Sequence, residues 1–339
     1  MSTLTDVARL AGVSTMTVSR VINDSGYVSP EARARVQGAI AELGYMPNVL
    51  ARQLRSKRTK TIALVLTDIA NPFFTTIARG VEDAARAQGY AVMFCNTDES
   101  EAEEIEYVRV LIQRQVDGVL LVPATDSSAS LQLLNKHGLP VVVLDRRLSA
   151  GGVDEVRTDS EAGAHCVVRH LLDLGHRRIA VLTGPERVST SADRVAGYRR
   201  AMAEEGLRPD DGLVVFGGYN EASGYEMTRL ILAAEPRPTA IFAANNFIAF
   251  GAIGAFREAG LRAPEDMSIA VFDDLPPGWV FDPFLTVVSQ PAYEIGKQAA
   301  ELMLERLAGK APAEPRTIVL PSELIIRRST AALRVETPA

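Results

Sequence analysis

The sequence predicts an all-α helix-turn-helix head joined to an α/β body of two doubly wound parallel-sheet lobes. Three observations predict it. Residues 5–23 read as two short helices broken at Gly12–Val13. From residue 61 onward, apolar strand-length runs alternate strictly with amphipathic helices. Charge divides at the same place: residues 1–60 carry nine basic and four acidic side chains, residues 61–339 carry 27 and 38. A basic head on an acidic body points to nucleic acid meeting the head alone.

In the head, Thr5 is placed to cap the first helix, with Asp6 favourable in its first turn; Gly12 ends that helix and Ser14 caps the next. Val18, Val21 and Ile22 fall at i, i+3, i+4 and form an apolar stripe. Met16 and Arg20 centre the opposite face, with Thr17 and Ser19 beside them and Thr15 at the tip. A helix-turn-helix lays such a face in the DNA major groove, where Arg pairs bidentately with guanine and Met or Thr meets a thymine methyl. Alone, the hairpin would be an ordinary helical pair with a solvated face. The next forty residues favour the DNA reading. Ser29-Pro30 starts a third helix, Ala32, Val36, Ala39, Ile40 and Leu43 give it a buried side, and Gly44 stops it. Asn48 then caps a short basic helix with Ala51, Leu54 and Arg55, flanked by Arg52, Lys57, Arg58 and Lys60. So short a helix is marginal alone in water, so it should order only against DNA or a partner. The resulting division is 1–46 for the DNA-binding head, 47–60 for a hinge, 61–330 for the body and 331–339 for a flexible tail.

In the body, strands are expected at 61–67, 91–95, 118–122 and 140–144, separated by helices at 74–88, 101–114 and 131–137. The cycle restarts after residue 160, with helices at 161–174, 194–205, 222–234, 247–259 and 294–307 and strands at 179–182, 213–216, 240–243, 268–272 and 285–289. Two such runs imply two similar lobes with a cleft between them. Cys95 and Cys166 each have apolar neighbours and read as buried thiols. No apolar run approaches the roughly 20 residues of a membrane span, and no basic-then-apolar leader opens the chain. The expectation is a cytosolic protein without membrane contact.

In open α/β sheets, ligands bind beyond the carboxyl ends of the strands. There this sequence places Asn71-Pro-Phe73-Phe74, Asp145-Arg146, the loop 183–194 ending in Arg194, Asn245-Asn246, Asp273-Asp274 and Gln290. Carboxylates, amides and arginines beside aromatic faces suit a polyhydroxylated ring, whose hydroxyls both donate and accept.

Two sets of motifs carry a family resemblance. Residues 3–60, through TDVARLAGVSTMTVSRVIN, RVQGAIAELGYMPN and ARQLRSKRT, resemble the headpiece and hinge helix of the lac-repressor-type (LacI/GalR) transcription regulators. Residues 61–330 are similar to the sugar-binding core that these regulators share with periplasmic ribose-type binding proteins. The resemblance implies a homodimer on a pseudo-palindromic operator, with Leu54 wedged into a central CpG step from the minor groove. Taken alone, Leu54 would be helix packing. The resemblance also places Asn71, Phe73, Phe74, Asp145, Arg146, Arg194, Asn245, Asp273 and Gln290 on pentose-contacting positions. That implies a monosaccharide effector rather than a purine, since the purine-responsive branch carries an arginine near Val188. Asn246 departs from the acidic residue usual there. The family dimerises largely through the lobe nearest the head, so helices 74–88 and 294–307 are candidate contacts. Their alternative is packing within one chain.

Chemistry beyond binding finds no motif. The sequence lacks G-x-S-x-G, a P-loop, G-x-G-x-x-G and H-E-x-x-H. His137, His165, His170 and His176 lack metal-site spacing and read as solvated or capping groups. The expectation is a regulator with no enzyme activity, metal or cofactor. Transport-type sugar-binding protein is the runner-up, and the head opposes it. A purine, sugar phosphate or protein co-repressor is the alternative as effector. The tail lacks leucine heptads, so a tetramer built on a tail coiled coil is not expected.

Overall fold

The computed structural model describes residues 2–46, 58–276, 278 and 282–333. The expected hinge positions Asn48, Ala51, Leu54 and Arg55 lie outside the described residues, as does the end of the expected tail. The chain forms two compact units, Met1–Thr59 and Lys60–Ala339.

The first unit holds α1 (Leu4–Ala11), α2 (Thr15–Ile22) and α3 (Pro30–Leu43). Thr3, not Thr5, caps α1, because only Thr3 has an acidic residue three positions on. Its hydroxyl accepts from Asp6 N at 3.2 Å while the Asp6 carboxylate accepts from Thr3 N at 2.9 Å, a reciprocal capping box. Ser14 and Ser29 cap α2 and α3 as expected. Arg35 Nε donates to Ala11 O at 3.1 Å, tying α3 to the end of α1. Val7, Val18 and Val36 are fully buried at the centre. Each such side chain contributes roughly 1.5–3 kcal/mol by leaving water.

The second unit contains two six-stranded sheets. The first runs β11 (Thr317–Leu320), β5 (Asp154–Thr158), β4 (Val141–Leu144), β3 (Gly118–Leu121), β1 (Thr61–Leu66), β2 (Ala91–Asn96). The second runs β12 (Glu323–Ile325), β10 (Thr286–Ser289), β9 (Ser268–Phe272), β8 (Ala240–Ala243), β6 (Ile179–Thr183), β7 (Val214–Phe216). All neighbours are parallel except β10 and β12. The strand orders match position for position, so the lobes are structural repeats. Their helices are α4 (Pro72–Ala87), α5 (Glu101–Gln113), α6 (Ala129–Lys136), α7 (Ser160–Asp173), α8 (Ser189–Glu204), α9 (Glu221–Leu232), α10 (Asn246–Glu258) and α11 (Ala292–Leu307).

The chain passes between lobes three times: from β5 into α7, from β10 into α11, and from β11 into β12. Strands β5, β11 and β12 were not expected; β5 and β12 are not continuous apolar runs, although β11 does carry a short one, Ile318-Val319-Leu320. β5 reads Asp-Glu-Val-Arg-Thr. Its Asp154 is fully buried and takes a bidentate pair from Arg306 at 2.6 Å and a bond from the Arg316 amide at 2.7 Å. Burial pushes the Asp154 carboxyl up, but those donors win and hold it below the ordinary aspartate value.

Several other expectations need correction. Cys95 is buried, but Cys166 is exposed on the outer side of α7. His176 is buried rather than solvated, bonded to Thr239, Ser268 and Ala331 O. Residues 331–333 are held rather than free: Ala331 N donates to Ser268 Oγ and Leu333 N to Leu174 O. The apolar stripe of α11 (Ile295, Ala299, Leu302, Met303, Leu307) is core of its own protomer. α11 crosses α4 at Gly80 and Gly296, where a side chain on either would run into the partner helix's backbone.

Candidate functional site

The head presents α2 as the sequence anticipates. Val18 and Val21 are buried, while Thr15, Met16 and Arg20 are exposed, Met16 to 63%. The Thr17 and Ser19 hydroxyls lie half-buried at the sides, Thr17 bonded to the Ser14 cap and Ser19 to Asn23. Three of the head's arginines are occupied: Arg9 by Asp6, Arg33 by Asp24 at 2.9 Å, and Arg35 by Ala11 O. Arg20 has no ion pair among the described residues. Its chain lies against Gly26, which offers no side chain to cover it. The arrangement leaves a planar cation flanked by apolar and hydroxyl contacts on a rigid, capped helix, the chemistry needed to read a base edge.

In the body, a narrow cleft with about 20 Å³ of free space lies between the lobes, lined from the carboxyl ends of both sheets. Eight of the nine expected residues line it: Asn71, Phe73, Phe74, Asp145, Arg146, Arg194, Asn245 and Asp273. Gln290 does not. It stands behind, its amide donating to Asp273 Oδ1.

Each lining side chain is aimed by its element. Asn71 and Asn245 are the caps of α4 and α10, each accepting from the first turn of its helix. The two helix starts meet across the cleft, where Asn71 Nδ2 donates to Asn246 Oδ1 at 3.3 Å and Asn246 Nδ2 to Asn71 Oδ1 at 3.2 Å. On another flank, Arg147 pairs with Asp193, and its amide donates to Ser189 Oγ at 2.8 Å. These contacts join the lobes directly. Phe73 and Phe74 pack edge to face, with ring centroids 5.1 Å apart, and supply an apolar wall.

Asp145 and Asp273 end β4 and β9, which are equivalent strands of the two repeats. Both adopt the left-handed region, with φ of 62° and 76°. Aspartate enters that region more readily than bulkier residues. Strain of this kind persists where surrounding structure enforces it, typically at functional sites. Burial pushes the Asp145 carboxyl up to about 6, against the pull of Arg146 and Arg194. Asp273 is raised as well, chiefly by burial, with Arg194 and Gln290 opposing.

Arg146 is 4% exposed and gripped by Glu99, with both carboxylate oxygens at 2.6 Å. It also donates to Pro123 O at 2.9 Å. Arg194 lies in the second turn of α8 rather than in a loop, stacks 3.8 Å over Phe272 and donates to Ala244 O. Four buried polar atoms of this group have no hydrogen-bond partner among the described residues: Asp145 Oδ1, Arg146 Nε, Arg194 Nε and Gln290 Oε1. Buried polar groups are nearly always paired, so the one acceptor and two donors carried by lining residues call for a polar guest.

The sequence reading missed Asp68, Glu99 and Tyr219, which also line the cleft. The Tyr219 hydroxyl is held by Thr190 at 3.1 Å and Ser191 at 2.7 Å, and Arg146 lies 5.5 Å from its ring centre. Only Asp68 had a signal, standing just beyond the first strand.

Residues 59–328 match the family model for periplasmic binding proteins and the sugar-binding domain of the LacI family, and residues 3–48 that for bacterial regulatory proteins of the lacI family. The chain is 36% identical over 330 residues to the HTH-type transcriptional repressor PurR of Photobacterium profundum, covering 97% of this chain and 98% of that protein. It is 37% identical over 330 residues to the ribose operon repressor of Halalkalibacterium halodurans, covering 97% of each. Among solved structures it resembles the lac repressor dimer bound to operator and the anti-inducer ONPF, with a TM-score of 0.86, 30% identity, and 98% and 99% of the two chains covered. A LacI-family regulator from Enterococcus faecium with bound ribose is similar with a TM-score of 0.72 and 34% identity, over 81% of this chain and 100% of that one.

Proposed function

Because this chain belongs to the LacI family of bacterial transcriptional repressors, we propose that a small monosaccharide bound between its lobes sets its affinity for an operator. The observation that carries the ligand class is the set of unpartnered buried atoms on lining residues, two donors and one acceptor, beside an apolar aromatic wall. Sugar hydroxyls donate and accept at once, and the ring's C–H face stacks on phenyl groups. Val188, where the resemblance puts an arginine in the purine-responsive branch, is buried in the second lobe's core and brings no charge to the cleft. Asn71, Phe73, Phe74, Asp145, Arg146, Arg194, Asn245 and Asp273 contact the sugar, and Gln290 orients Asp273.

At the other end, Thr15, Met16, Thr17, Ser19 and Arg20 read the major groove. The hinge positions Asn48, Ala51, Leu54 and Arg55 act in the minor groove at a central CpG. Two copies bind a pseudo-palindromic site, because operator symmetry mirrors protein symmetry. No helix among the described residues is long and apolar enough to cross a membrane.

Calorimetric titration of the purified chain with common monosaccharides, ribose first, tests the reading. Binding should be lost in Arg194→Ala and Asp273→Ala, while both variants still bind operator DNA without effector. A chain that takes up no monosaccharide, or variants that bind as the parent does, would overturn it.

A further inference from the structure

Glu99 is one of the cleft residues that neither the helix-and-strand pattern nor the pentose-contacting positions singled out. It sits just after β2, the second of two successive residues with left-handed backbone, Asp98 at φ 48° and Glu99 at φ 59°. Its amide donates to Thr67 O at 3.1 Å, which fixes the turn against the end of β1. The consequence is a carboxylate that meets the Arg146 guanidinium end-on, across Nη1 and Nη2, with 2.6 Å on each oxygen. Such fork-to-fork pairing is the strongest geometry a guanidinium can adopt. Arg146 spends its remaining Nη1 capacity on Pro123 O and Ala124 O, at 2.9 and 3.3 Å.

We infer that Glu99 is a specificity-determining residue that pre-neutralises Arg146, so that the cleft takes an uncharged vicinal diol and refuses phosphate esters and other anions. This inference rests on reading the cleft as the effector site. An arginine in a ligand cleft is ordinarily an anion receptor, because its fork matches a phosphate as well as it matches a carboxylate. Here the fork is already filled, and what it presents to a guest is the edge at Nε. The surrounding charge has the same sign of effect. Asp68, Glu99, Asp145 and Asp273 stand against Arg146 and Arg194, four carboxylates to two guanidiniums. A phosphate would meet excess negative charge in a buried site and would leave the acceptor Asp145 Oδ1 without a donor. A pair of adjacent hydroxyls supplies that donor and accepts from the Nε groups of Arg146 and Arg194 at no cost in charge.

The probes are ribose, ribose 5-phosphate and inorganic phosphate, titrated calorimetrically into the wild-type chain and into Glu99→Gln. Wild type should give no heat with either phosphate compound. Glu99→Gln, with Arg146 released, should bind ribose 5-phosphate roughly tenfold or more tightly than wild type does, the scale of one charge-assisted hydrogen bond. Wild type binding ribose 5-phosphate as tightly as ribose overturns the inference and leaves the cleft reading intact. Phosphate binding gained in Glu99→Gln, with no monosaccharide bound by either protein, supports the inference while the sugar reading fails. Equal refusal of phosphate by both proteins overturns the role of Glu99. Should Glu99→Gln not fold by circular dichroism, Asp68→Asn removes one cleft charge without freeing an arginine. A rise in phosphate affinity there supports the charge argument, and no rise overturns it.

Discussion

At the scale of single residues, the two functional ends of the chain differ in how their chemistry is exposed. Arg20 stands on a capped helix, free of ion pairs among the described residues and open to solvent. Arg20→Ala should relax base preference at one operator position and cost roughly 1–3 kcal/mol. Competition binding against operators altered at single base pairs measures this, and unchanged discrimination would remove Arg20 from the reading face. Asp145 is the opposite case, a carboxyl driven up to about 6 by burial with no hydrogen bond to its Oδ1. Its folded value lies above its unfolded one, so its protonated form favours folding. That contribution is complete below about pH 4 and is lost as pH rises through about 6. Between pH 7 and 5 the ligand-free body should therefore gain stability from this group. Asp145→Asn should be more stable than wild type at pH 7 by about 1–3 kcal/mol, with the difference shrinking toward pH 5. Urea unfolding of both proteins across that range reads the difference directly. Taking the difference cancels the opposing titration of His170 and His176, which burial lowers. The aspartate was legible in the sequence because it follows an apolar strand. Glu99, the partner of the neighbouring Arg146, was not, because a left-handed turn between β2 and α5 aims it, and no pattern of apolar residues records a positive φ.

At the scale of elements, what was legible was whatever a continuous apolar run or a helical stripe announces. β1, β3, β4, β8 and β9 are such runs and were found. β5 was not, since its buried Asp154 depends on Arg306 and Arg316, more than 150 positions away. Spacing along the chain carries no trace of that pairing. The pairing of α4 with α11 was likewise open between a dimer contact and internal packing. The glycines show close packing of the two helices within one chain: Gly80 faces the backbone at Tyr293, and Gly296 the backbone at Ile77. Gly296→Ala should destabilise the body by about 1–3 kcal/mol through overpacking, although alanine is the better helix former. Thermal melting of the variant checks this, and an unchanged or raised midpoint would mean the crossing yields readily. For the segment at 47–57, which lies outside the described residues, the sequence alone supports a prediction. Leu54→Ala should weaken operator binding and reduce DNA bending together. Equal mobility on circularly permuted fragments would exclude the wedge.

At the scale of the whole molecule, function depends on coupling the cleft to the head, and the contacts that join the lobes set the terms of that coupling. An effector changes operator affinity only through unequal affinity for two lobe arrangements, and a tenfold change requires about 1.4 kcal/mol of difference. The reciprocal amide pair of Asn71 and Asn246 joins two helix starts across the cleft. It is neutral, so it holds the lobes without an ion pair and without competing for the cleft's charged groups. Asn246→Ala removes both hydrogen bonds while leaving the eight lining residues in place. Each lost bond is worth roughly 0.5–1.5 kcal/mol, enough to shift closure by about tenfold. The expected outcome is weaker ribose binding and a smaller effector-induced change in operator affinity. The salt dependence of DNA binding should be untouched, because phosphate contacts belong to the basic head. Operator titrations at several salt concentrations, with and without ribose, separate the two. A variant with altered salt slope and intact effector response would place Asn246 in the DNA-binding function instead of the lobe closure.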